Sequence, residues 1–247
     1  MTQKRRANHI REERNFEPCK DCLSCHLRKH DYFCQLSDRV LKDFDAIKTL
    51  VVYPSGTVLF LENDDSRGVF VLCHGQIKLS VSSSEGKTLI LQIAEPGAVL
   101  GLAAVIGRRP YDFTAQTTSP TQIAFIRRDD FLRFVGDHDD AYRRLVNPIL
   151  SSYQGICDQL RAVGLSETPT RLAKVLLDWS GGTAQGKTCS RIMVPLTHEE
   201  IGEYIGSARE TVTRTLSDFK ARRLITVSGA AMTIEDRKAL EDIADAG

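Results

Sequence analysis

The chain lacks the long apolar runs of a membrane protein. Its longest stretch free of charge and strong polarity, Gly97 to Gly107, is about half the roughly 20 residues that cross a bilayer as a helix. No membrane role is expected. It also lacks the apolar core of an export signal, because the basic start (Lys4, Arg5, Arg6) runs into Ile10-Arg-Glu-Glu-Arg14. A cytoplasmic protein is expected. Net charge is nearly absent, at +1 from 33 Lys and Arg against 32 Asp and Glu, so no global attraction to nucleic acid follows. Hydrophobic material is not lacking: 42% of residues are apolar and 26% charged, which excludes global disorder. A length of 247 residues suits one or two domains, and we begin with two.

Charge is concentrated locally instead. Residues 1–34 carry eight Lys and Arg against five Asp and Glu, and residues 207–223 carry five against two, so each segment is locally +3. The seven cysteines are an odd number without an export signal, which argues against a disulfide framework and for reduced thiols. Four of them form Cys19-x2-Cys22-x2-Cys25-x8-Cys34, in a segment too poor in aliphatic residues to build a core of its own.

From Thr49 to Ile126 short period-two runs (Val58–Phe60, Val69–Val71, Ile77–Val81, Leu89–Ile93, Thr121–Phe125) alternate with turn residues at intervals of roughly 10, the spacing of a sandwich or roll. After Arg127 the period changes. Tyr142, Val146, Ile149, Tyr153, Ile156, Leu160 and Val163 form a heptad seam, the narrow stripe of a helix that packs on one partner helix. A homodimer is the preferred reading, with a helix lying on the roll as the alternative. Pro148 and Gly155 predict a kink or a late start at Asn147. Beyond Gly164, Thr168-Pro169 suits a helix N-cap followed by proline, and Leu172, Val175, Leu176 and Trp179 form an amphipathic run. A short strand is predicted around Ile192-Met193-Val194. Thr197-x-x-Glu200 and Ser207-x-x-Glu210 both fit capping boxes.

The fold class expected is α+β: a cysteine-rich segment (1–36), a double-stranded β-helix or jelly-roll sensor domain (37–136), a dimerisation helix (137–164) and a winged helix-turn-helix (165–247).

Gly181-x4-Gly186-Lys187-Thr188 matches the phosphate-binding loop, but that mechanism needs a strand before the loop and a helix after it. The order here is reversed, so a hairpin loop is expected and an NTPase is only a remote alternative. His198-Glu199 lacks a second His one turn on, since residue 202 is Gly. Thr197 to Arg222 reads as a helix-turn-helix around Tyr204-Ile205-Gly206-Ser207, with Val212, Leu216 and Phe219 on the buried side. Arg209, Glu210, Thr213 and Arg214 lie at the N-terminal end of its second helix. Arg can bind guanine with two bonds and Glu can accept from cytosine, so major-groove reading of double-stranded DNA is expected. Ser207 and Lys220 are assigned to the same DNA interface, Lys220 as a phosphate contact. Leu224-Ile225-x-Val227 and Met232-x-Ile234 flank a turn and suggest a hairpin wing.

The roll, the long helix, Leu196-Thr-x-Glu-Glu-Ile-Gly-x-Tyr-Ile-Gly and Ser207-x-Arg-Glu-Thr-Val-x-Arg-Thr-Leu together resemble the Crp/Fnr family of bacterial transcription regulators. The resemblance runs from about Cys19 to the C-terminus. It implies a dimeric regulator that engages RNA polymerase and is not an enzyme. The Arg209, Glu210, Arg214 trio resembles the version that reads TGTGA-type half-sites. Family members that bind cyclic AMP carry an acid and an Arg-Ser pair where this chain has Leu102 and Tyr111-Asp112, so cyclic AMP is not expected.

The cysteine cluster is the remaining sensor candidate. Cys-x2-Cys-x2-Cys is closer to iron–sulfur than to zinc spacing. Fnr-like oxygen sensors hold a [4Fe-4S] cluster with three N-terminal cysteines and one distant cysteine, and this resemblance implies a cluster here. The chain departs from that pattern, because the third cysteine comes sooner, Cys34 is an extra local one, and the distant position near Ala124 has none. The ligand set expected is Cys19, Cys22, Cys25 and Cys34, with Cys73 in reserve; zinc, or a thiol switch without metal, is the alternative. Cys157 is read as a packing residue on the dimer seam and Cys189 as an incidental loop residue, and His26, His30 and His74 are the candidates for a haem-based variant. The signal expected is oxygen, nitric oxide or redox state, acting through the packing of the N-terminal segment and roll on the dimer helix.

Overall fold

The computed structural model describes residues 18, 20–29, 33–180, 190–193, 196–228 and 231–246. They belong to two compact units, one from Met1–Leu79 with Ile93–Tyr153 and one from Ser80–Gln92 with Gln154–Gly247. Among the described residues no helix is long and apolar enough to cross a membrane. Cys19, His30, Gly181–Thr188 and Cys189 lie outside them, so the hairpin-loop reading of 181–188 does too.

In the first unit, helix α1 (Asp38–Ile47) starts at Ser37, whose hydroxyl accepts from the Val40 amide. The strands of the roll are β1 (Thr49–Tyr53), β2 (Val58–Phe60), β3 (Gly68–His74), β4 (Ile77–Ser82), β5 (Thr88–Ala94), β6 (Val99–Leu100), β7 (Thr114–Thr117) and β8 (Thr121–Arg127), with Ser80–Gln92 of β4 and β5 counted in the second unit. They form two four-stranded sheets in the orders β1-β8-β3-β6 and β2-β7-β4-β5, the expected roll. Strand alternation splits the side chains of β3 and β8 between two cores. Phe70, Leu72 and Ile123 enter the roll interior with Phe60, Ile77, Leu79 and Leu100. Val69, Val71, Ala124 and Ile126 face outward, against Leu27, Phe33 and Leu36 of the N-terminal segment and Val40, Leu41 and Phe44 of α1. The segment that lacks a core thus uses the outer face of the sheet. Phe33 anchors it, edge-on to Phe44 at 5.7 Å, and its burial contributes roughly 1.5–3 kcal/mol.

Three further helices, α2 (Leu102–Gly107), α3 (Arg128–Asp137) and α4 (Asp139–Arg144), complete this unit, and α3 adds Phe131 and Phe134 to the outer core. Helix α5 (Val146–Leu165) follows. It begins at Val146, so Pro148 falls in its first turn, where a missing amide hydrogen leaves no bond unmade. Tyr142 of the seam therefore sits on α4 and the rest on α5. None of the residues of α5 is buried; Val146, Ile149, Tyr153 and Leu160 are exposed, Leu160 by 73%.

The second unit contains α6 (Thr168–Trp179), β9 (Ser190–Met193), α7 (His198–Ile205), α8 (Arg209–Ala221), β10 (Ile225–Ser228), β11 (Ala231–Ile234) and α9 (Arg237–Asp245). Helix α6 is capped at Glu167, one residue before the position expected, with Pro169 in its first turn. Strands pair antiparallel as β10-β11-β9, which gives the wing and accounts for the strand at Ile192 and Met193. Leu172, Leu176, Ile201, Val212, Phe219 and Leu240 are buried here. The Gln159 carboxamide donates to the Ile90 carbonyl at 2.9 Å and to the Tyr204 carbonyl at the end of α7.

Candidate functional site

Two groups of chemistry-bearing residues stand out, one in each unit. In the second unit, α7 opens with the expected capping box: the Thr197 hydroxyl accepts from the Glu200 amide and the Glu200 carboxylate accepts from the Thr197 amide at 2.9 Å. It closes at Gly206, whose φ of 61° is left-handed, and the Ser207 amide donates back to the Gly202 carbonyl at 2.8 Å. A Cβ at Gly202 would stand 2.5 Å from the Ser207 carbonyl oxygen. The glycine that spoils a zinc-hydrolase motif is therefore what lets the turn close.

The second capping box does not form. Helix α8 has Ala208 as N-cap with no side-chain bond, because the Ser207 hydroxyl is 3.2 Å from the Thr168 hydroxyl of α6. Val212, Thr215, Leu216 and Phe219 are buried along one side of α8, which turns Arg209, Glu210, Thr213, Arg214 and Lys220 to the exposed side. Arg209, Glu210 and Arg214 are all exposed, so the trio is presented outward. The Thr213 hydroxyl is partly engaged, donating to the Arg209 carbonyl at 2.9 Å and lying 3.1 Å from His198 Nδ1. Burial, then the neighbouring Lys220 and Arg209, hold His198 below the ordinary histidine range.

In the first unit, a pocket under the outer face of the roll is lined by Cys22, Cys25, Cys34 and Cys73, together with Lys48 and Ala124. The N-terminal segment turns tightly there. Asp21 accepts from the Ser24 amide and hydroxyl at 2.8 Å, and Arg28 donates to the Leu23 carbonyl at 2.8 Å and pairs with Asp38. Leu23 and Ser24 face solvent while Cys22 and Cys25 turn inward. The Cys22 amide donates to Asp45 at 2.9 Å; Lys48, with only 5% of its side chain exposed, pairs with Asp45 and donates to the Cys22 sulfur at 3.1 Å. Burial pushes the Cys22 thiol up to about 11, against the pull of Lys48. Burial also raises Cys34, and the Cys22, Cys73 and Cys25 sulfurs add to it. Lys48 is lowered by burial, yet its bonds to Asp45 and Cys22 leave it above its ordinary value.

Among the described residues no three His, Cys, Asp or Glu donors converge tightly enough for one ion. Next to Cys34, Gln35 accepts from Arg144 at 2.9 Å, two residues before α5 begins. His74 is exposed on β3.

Between Gly97 and Phe113 the side chains singled out in the sequence are engaged within the unit. Leu102 is buried in the outer core. Tyr111 stacks on Phe60 at 4.0 Å and donates to the Gly68 carbonyl at 2.8 Å, and Asp112 pairs with Arg109 at 2.6 Å.

Residues 170–243 match the Crp-like helix-turn-helix domain, and residues 50–138 match the cyclic nucleotide-binding domain. The CRP-like cAMP-activated global transcriptional regulator of Mycobacterium tuberculosis is 26% identical over 192 residues, 77% of this chain and 85% of the relative. The transcriptional activator protein FnrA of Stutzerimonas stutzeri is 28% identical over 229 residues, 88% of each chain. The structure of FixK2 from Bradyrhizobium japonicum superposes with a TM-score of 0.71 at 21% identity, covering 81% of this chain and 99% of the other.

Proposed function

The chain belongs to the Crp/Fnr family and is a sequence-specific transcription regulator, not an enzyme, and we propose that it acts as a cytoplasmic homodimer governed by an iron–sulfur centre on its N-terminal cysteines. The observation that carries this reading is the gathering of Cys22, Cys25 and Cys34 in one pocket beneath the roll. An all-sulfur donor set suits iron–sulfur clusters, zinc or copper(I). A single tetrahedral zinc needs four sulfurs at about 2.3 Å from one point, whereas a cluster takes each thiolate on a separate iron. Several thiols around one pocket, spaced Cys-x2-Cys-x8-Cys along the chain, support the second. A [4Fe-4S] cluster, when bound, supplies a centre that responds to oxygen, nitric oxide or redox state.

The protein's own residues do the rest. Cys22, Cys25 and Cys34 hold the centre, with Cys19 the further candidate from the same segment. The Lys48 ammonium offsets thiolate charge at Cys22 in a buried setting. The Arg144 to Gln35 bond joins the residue after Cys34 to the last residue of α4, just before α5 begins. Along α5 the exposed seam is the surface through which two copies would pair. In each copy Arg209 and Arg214 read guanine and Glu210 reads cytosine in TGTGA-like palindromic half-sites, while Ser207, Thr213 and Lys220 support the helix and the DNA backbone. RNA polymerase is the expected protein partner.

The test is anaerobic purification followed by iron, acid-labile sulfide and DNA-affinity measurements before and after air. Iron and sulfide that disappear with air, together with a change in affinity, are expected. Stoichiometric zinc with no iron overturns the reading.

A further inference from the structure

A [4Fe-4S] cluster on this chain takes four thiolates, and three come from the pocket's N-terminal wall. Granting the iron–sulfur reading above, we propose that the fourth ligand is Cys73, supplied by strand β3 of the roll, in place of Cys19.

Strand geometry carries the assignment. On β3, Phe70 and Leu72 fill the roll interior, while Val69 and Val71 face the N-terminal segment, and Cys73 follows them on that outer face. The ladder to β8 is regular from Gly68 to Leu72, then slips: Leu72 pairs with Ile123, and His74 with Gln122. Cys73 thus falls at a β-bulge, where the local twist increases and the direction of a side chain changes, and its thiol donates to the Val71 carbonyl at 3.6 Å. Cys73 lines the same pocket as Cys22, Cys25 and Cys34, and Cys34 lies within electrostatic reach of all three. On the neighbouring strand, Ala124 pairs with Val71 and puts only a methyl group into the pocket. Ligation by Cys73 ties the segment to the sheet beneath it, which a ligand set drawn wholly from residues 19–34 would not do.

The test uses the full chain, reconstituted anaerobically with iron and sulfide. Cys73→Ser should lose most of its iron, acid-labile sulfide and visible absorbance while its far-ultraviolet circular dichroism stays at wild type. Cys19→Ser should keep all three. Because Cys73→Ser could fail by misfolding, Cys73→Ser/Ala124→Cys is measured beside it, and recovery of iron there shows that the loss was one of ligation. Wild-type iron, acid-labile sulfide and visible absorbance in Cys73→Ser overturn the assignment and leave the iron–sulfur reading standing. Wild-type protein that binds no iron overturns that reading first.

Discussion

The recognition helix and the cysteine pocket hold their reactive groups in opposite ways. Arg209, Glu210 and Arg214 stand exposed on one side of α8, positioned by four buried neighbours on the same helix. Their charges remain hydrated until a ligand arrives. Cys22, Cys25 and Cys34 are buried, two of them with raised pKa values, and contacts far along the chain position them: Asp45, Lys48, the β3 and β8 strands and α3. The first arrangement spends no folding energy on desolvating charge. The second buries its thiols beside Lys48, and only a nearby cation makes a thiolate tolerable there.

The largest effect expected tests whether the exposed face works alone. Ile156→Glu would set like carboxylates against each other across a two-fold seam, and should give a folded monomer with DNA affinity reduced about a hundredfold or more. Light scattering and gel-shift titration check this; an unchanged dimer would mean that the seam has another role. Next, Arg214→Ala should cost about 1–3 kcal/mol per half-site and relax preference at one guanine, whereas Lys220→Ala should weaken all sequences alike and flatten the salt slope by about one. Binding titrations at several salt concentrations separate the two, and identical behaviour would erase the distinction between base and phosphate contacts.

On the pocket side, Lys48→Met leaves Asp45 without its cation. A broken buried pair costs about 3–5 kcal/mol, but Asp45 retains water, so roughly 2 kcal/mol is expected in thermal unfolding of metal-free protein. No loss would mean that the pocket is as indifferent to a nearby charge as the helix surface. The smallest effect is Thr197→Ala, which removes one cap bond of α7 and should cost about 1 kcal/mol, read from the same melting curves.

The same contrast explains what was legible beforehand. The helix-turn-helix could be read because its signals are local: a capping box, a left-handed glycine and a buried stripe within one stretch of chain. Its one misreading, the cap at Ser207, came from a tertiary bond to Thr168, far back in sequence. The cysteine spacing announced a cluster of thiols but not their surroundings. Leu27, Phe33 and Leu36 look like isolated apolar residues until the outer sheet face is known, and the stripe of α1, Val40, Leu41 and Phe44 after Ser37, is too short to stand out in the sequence. Cys73 stood only in reserve because a bulge and a shared face are properties of paired strands, not of one strand's sequence.

The two bonds of Gln159 bear on how the gene can be cut. A fragment starting at residue 165 holds both helices of the DNA-reading motif, but it loses the amide that caps the Tyr204 carbonyl at the end of α7. It also loses residues 80–92, which belong to the same compact unit although they are encoded far upstream, within the roll. A fragment that starts before Gln159 keeps the bond to Tyr204 and should therefore melt higher than one that starts at residue 165.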